Sequence, residues 1–193
     1  MKKTLCFILF VTLFFISACS SNSSSLELID ANVQIVHDEA LVGSIGIMEG
    51  ERKGEFLVPT ALYYEFTIKN KDNKPIGNDQ SFEKGIELTI KPKEELESVS
   101  EEVIGFNIYN FEEYDETGLG HGVTFTTMIY PNEEGEYTLH YDLGVNEENP
   151  TVPLIVPSED KLELLLENAL NAFLVVTIEN KEIARFDLEE YQN

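Results

Sequence analysis

The 193-residue chain contains no tryptophan, two cysteines and three histidines, and its thirteen basic residues face thirty-six acidic ones. Each scarcity excludes something. Cys6 and Cys19 both lie near the amino terminus, so no disulfide framework staples the body of the chain and packing alone must hold it. A formal charge of −23 repels nucleic acid and anionic lipid headgroups, which excludes a nucleic-acid partner. The longest apolar run, Leu5 to Ile16, falls well short of the roughly twenty residues that cross a bilayer as a helix. Catalytic patterns are also missing: there is no Gly-x-Ser-x-Gly elbow, no His-Glu-x-x-His pair and no phosphate-cradling glycine loop, and the chain is read as non-enzymatic.

What is present begins with Lys2 and Lys3, the apolar run and then small residues, the layout of a secretory signal peptide. Within it, Ile16-Ser17-Ala18-Cys19 resembles the lipobox of bacterial lipoproteins, with Ile16 where leucine is commonest. The resemblance is confined to the leader. It implies that the Cys19 thiol receives a diacylglyceryl group and that a signal peptidase cuts between Ala18 and Cys19. It further implies that the new amino terminus is acylated, by palmitate or a similar chain, and that the protein is anchored outside the cytoplasmic membrane of a bacterial cell envelope. Two or more chains hold a membrane stably where one does not. Cleavage leaves eleven basic against thirty-six acidic residues, a net charge of −25. The chain therefore divides into a signal peptide (1–18), the lipidated cysteine with a flexible serine-rich tether (19–25) and one domain (26–193).

From Leu26 onward the dominant signal is period-two alternation between clusters of Gly, Asn, Asp and Pro. Leu62, Tyr64, Phe66 and Ile68 face one way and Tyr63, Glu65, Thr67 and Lys69 the other. The pattern returns at Ile86–Ile90, Ile104–Ile108, Val123–Ile129 and Tyr137–Leu143. These are half-buried antiparallel strands, and a mainly β sandwich is expected. One helix is expected after Ser158, with Glu159 and Asp160 in its first turn and Leu162, Leu165, Leu166, Ala169 and Phe173 at helical spacing. It covers an end or face of the sheets. Leu174–Ile178 and Ile183–Leu188, joined by Asn180-Lys181, read as a closing hairpin.

Glu133-Glu134-Gly135-Glu136-Tyr137-Thr138-Leu139 is similar to the tyrosine corner of immunoglobulin-like sandwiches. That resemblance implies that the Tyr137 hydroxyl bonds back to nearby backbone and that Leu139 fills the position of a core cysteine. The other reading of this stretch is an ordinary hairpin entry.

For chemistry, His37, His121 and His140 share no metal-ligand spacing and are read as surface or loop residues. The most unusual loop is Asn110–Gly122, where Glu112, Glu113, Asp115 and Glu116 precede three glycines and His121. It is either a solvated acidic loop or a calcium site built from those four carboxylates. Three functions follow: a membrane-anchored module that binds a protein or envelope component, a calcium or solute binder, or an inhibitor or immunity-type protein for a basic secreted partner. No cofactor other than calcium is implied.

Overall fold

The computed structural model describes residues 25–78, 85–114, 117–124 and 126–192. The leader, Cys19, Asp115, Glu116 and Phe125 lie outside the described residues. In chain order the strands are β1 (Leu26–Val36), β2 (Ile45–Gly46), β3 (Phe56–Leu57), β4 (Thr60–Asn70), β5 (Ile76–Gly77), β6 (Glu87–Pro92), β7 (His121–Thr124), β8 (Met128–Ile129), β9 (Glu134–Gly144), β10 (Ala172–Ile178) and β11 (Lys181–Asp187). The helices are α1 (Glu39–Val42), α2 (Glu94–Ile104), α3 (Phe111–Tyr114) and α4 (Glu159–Asn168), followed by a 3-10 turn at Leu188–Tyr191. No helix among the described residues is long and apolar enough to cross a membrane.

The chain is mainly β. Sheet I has the order β1-β4-β9-β7 and sheet II the order β11-β10-β6, with every pairing antiparallel. β2 with β3 and β5 with β8 form two separate two-residue ribbons. Setting the ribbons aside, the seven remaining strands partition four and three in the order of a constant-type immunoglobulin sandwich, ABED against CFG. Alternation places Leu62, Tyr64, Phe66 and Ile68 of β4 opposite Leu88 and Ile90 of β6 and Leu174 and Val176 of β10 in one continuous core. Burying so many large side chains from two sheets offsets the absence of cross-links, at about 1.5–3 kcal/mol each.

Helix α4 begins after Ser158, as expected, but the Ser158 side chain makes no capping bond. Phe173 lies on β10, and the helix ends at Asn168. The closing hairpin turns at Glu179-Asn180, whose φ angles of 50° and 61° are those of the turn that follows strand twist. Two strand expectations fail. Ile104 ends helix α2, because Leu96, Ser100, Val103 and Ile104 form one buried stripe at helical spacing and Gly105 stops the helix with φ 99°. The expected Val123–Ile129 strand is divided between β7 and β8, which pair with different partners.

The tyrosine-corner bond is not formed. A corner belongs at the start of strand F, whereas β9 occupies the position of strand E, and the buried Tyr137 hydroxyl has no partner among the described residues. Other tyrosines take the tying role. Tyr64 donates to Ala169 O at 3.0 Å and Tyr191 to Leu28 O at 2.8 Å, fixing the turn after α4 and the 3-10 turn to sheet I.

Candidate functional site

The two sheets do not end together. Sheet I carries β7 as its last strand and sheet II ends at β6, and between these edges a groove of about 420 Å³ lies open. Register builds its floor: His121 is opposite Tyr141 and Val123 opposite Leu139, so these four side chains share the inward face. Leu88 closes the far side, Phe111 stands at the mouth, and Glu87 and Thr89 add a polar rim. Val123 is 48% exposed and Phe111 53%, which is unusual for large apolar side chains that converge on one concavity.

Phe111 is held by helix α3, and α3 is held by Tyr114. The Tyr114 hydroxyl donates to Asp142 O at 2.6 Å and also meets Gly120 O; burial pushes its pKa up, so it keeps its proton. This joins the helix to Gly120, just before β7, and to β9. In consequence the Phe111 and His121 rings meet edge to face with centroids 4.6 Å apart. His121, expected as a surface or loop residue, is exposed on β7 and lines the groove.

The opposite face of the same two strands carries a different cluster. His140 lies flat against Gly122, where a Cβ would stand 2.2 Å from its Cε1, and stacks on Tyr63 at 6.2 Å. Asp142 is buried beside it. Its Oδ2 accepts the Gly120 N–H at 3.0 Å, and Oδ1 has no hydrogen-bond partner among the described residues. Burial pushes the Asp142 pKa up to about 7, and burial followed by the charge of His121 lowers that of His140. The 3.8 Å separation of His140 Nε2 from Asp142 Oδ1 is too long for a hydrogen bond. Both groups are driven toward their neutral forms, so the contact is a polar neighbourhood and not an ion pair. His37, in turn, touches Thr60 and Asn146 at 3.5 and 3.4 Å.

Of the acidic loop, Glu112 and Glu113 sit on α3. The Glu113 oxygens accept from Asn107 N at 3.3 Å and Asn110 Nδ2 at 2.7 Å, so this carboxylate ties the loop to itself. Among the described residues no group of three or more His, Cys, Asp or Glu is placed to hold a metal ion. Leu88 and Phe111 were absent from the sequence-level site because groove lining needs tertiary contact. Only the exposed aromatic at the start of the acidic loop offered a signal. Comparison with protein-family models, curated proteins and solved structures finds no match to this chain.

Proposed function

We propose that this protein is a lipid-anchored, extracytoplasmic lipoprotein whose immunoglobulin-like sandwich is a non-enzymatic binding module, and that the β6–β7 groove is its recognition site. The observation that carries the reading is a groove in which two exposed apolar side chains, Phe111 and Val123, stand over a floor of Leu88, Leu139 and Tyr141. Apolar side chains left open to water in one pocket give a partner hydrophobic area to bury. The anchor rests on Ile16-Ser17-Ala18-Cys19 and the serine-rich tether. A strand order matching constant-type immunoglobulin domains supports the module, since such sandwiches present edges and end loops to partners.

Two experiments test it. Cells fed radiolabelled palmitate should label the wild type and not Cys19→Ala; equal label in both refutes the anchor. A photo-crosslinking phenylalanine analogue replacing Phe111 should yield a discrete protein adduct on intact cells. The same probe replacing Glu163, an exposed residue of α4, should not. Identical patterns from both positions, or none from Phe111, refute the groove as the recognition site.

A further inference from the structure

The four sheet edges are guarded unequally. At the β1 edge, Glu27 and Asp30 bring charge, the register shifts between Leu28 and Asp30, and Tyr191 bonds to Leu28 O. Lys181, Glu182, Arg185 and Asp187 crowd the β11 edge. Strand β6 carries Glu87 and Lys91 and ends at Pro92, which has no N–H. Charges, bulges and proline are how β proteins stop a foreign strand from adding to a sheet. Strand β7, His121-Gly122-Val123-Thr124, has no Lys, Arg, Asp, Glu or Pro, and its pairing with β9 shows no register shift.

The ladder also fixes which backbone groups of β7 face away from β9. Asp142 donates its N–H to Gly120 O at 3.1 Å, so alternation puts the bonded pairs at 120/142, 122/140 and 124/138. The N–H and C=O of His121 and Val123 therefore point at the open edge, while their side chains face the groove. An unguarded edge and an apolar slot thus share the same two residues.

We infer that β7 is a strand-addition site: an extended segment of a partner protein pairs with His121 and Val123 and lays its alternate, apolar side chains over the groove beside Phe111. This rests on the groove being the recognition site and specifies what enters it. Main-chain bonds along the edge supply affinity, and the slot supplies selectivity for every second side chain. A second copy of this chain would bring the same charge of −23 and be repelled. The occupant is therefore a different chain, with lysine or arginine flanking the apolar positions.

The test uses the full chain in detergent micelles, panned against a random twelve-residue peptide library, with enriched sequences synthesised and measured by calorimetry. The enriched peptides should be basic and alternate apolar with polar residues. Methylating the peptide backbone nitrogens of one alternate set should weaken binding at least about tenfold, and methylating the other set should leave it nearly unchanged. Val123→Pro, which removes one edge-facing N–H, should weaken the same peptides while leaving the melting temperature within a few degrees. The methylation series decides the matter even if that variant unfolds. Absence of enrichment over bare support, peptides without alternation, or equal effects of the two methylated sets overturns the inference. If the Phe111 adduct forms on cells while the peptides fail, strand addition falls and the groove remains as the recognition site; loss of both refutes the groove itself.

Discussion

Replacing Asp142 by asparagine should stabilise this protein at alkaline pH and change it little in acid. The carboxyl is held to one N–H, leaves Oδ1 without a partner and has a side chain only 5% exposed. Its pKa rises from 3.8 to about 7. Between about pH 4 and pH 7 the folded protein keeps a proton that the unfolded chain has released. The folded state then binds more protons, so stability falls as pH rises through this window and the penalty is complete above it. Three units at 1.36 kcal/mol each give a penalty of about 4 kcal/mol, or a melting shift of about 8–16 °C for a domain of this size. His140 contributes an opposite trend: its lowered pKa makes stability rise with pH just below its ordinary value of 6.5. That trend is common to both proteins and cancels in the difference. In Asp142→Asn the amide oxygen still accepts from Gly120, and nothing ionises. Urea denaturation followed by circular dichroism at pH 5.0 and pH 8.5 checks this. We expect the variant to lead by about 1–2 kcal/mol at pH 5.0, just over one pH unit into the window, and by about 4 kcal/mol at pH 8.5, where the penalty is complete. A difference that does not change with pH, or a wild type that gains on the variant toward pH 8.5, refutes the reasoning.

Four further outcomes are expected. Tyr137→Phe should be neutral or stabilising by up to about 1 kcal/mol, because it removes a buried hydroxyl without a partner. Tyr114→Phe should cost about 1–2 kcal/mol by stranding the carbonyl of Asp142, Gly120 O keeping the Asp142 N–H; chemical denaturation ranks the two, and the reverse order would restore the tyrosine corner. Leu96→Ala and Leu165→Ala, each at a fully buried position on α2 or α4, should each cost about 2–5 kcal/mol in the same assay. A near-zero cost would show that the helices are not part of the core. Gly77→Ala should be among the most damaging small changes, at more than about 2 kcal/mol: φ is 91° and the new Cβ would lie 2.1 Å from Thr127 O. An unchanged melting temperature would show that the β5–β8 ribbon yields easily.

Strands β4, β6 and β9 were legible because along most of each strand one face is buried and the other is exposed or half-buried, with Ala61, Tyr63 and Asp142 as exceptions, and this writes period two into the sequence. The closing hairpin and α4 were legible for similarly local reasons. Helix α2 was written there too, in Leu96, Val99, Val103 and Ile104. It was obscured because Ile104, Phe106 and Ile108 also satisfy a strand pattern, and a short apolar run supports both periods. The Tyr137 expectation failed for a different reason. The Gly-Glu-Tyr motif is local, but whether a strand is E or F depends on which sheet takes it.

Composition alone determined that the domain is acidic, without a cysteine beyond Cys19 and so without a disulfide of its own, and held by apolar packing; local alternation determined that it is mainly β. Those properties are sums over residues or follow from near neighbours. Tertiary structure decided which strands became edges, that Phe111 and His121 would line one groove with Leu88, and that Asp142 Oδ1 would be buried with no partner among the described residues. Pairing between distant strands sets each of these. A one-residue slip in the register of β7 on β9 would turn Val123 and His121 to the other face and empty the groove of them.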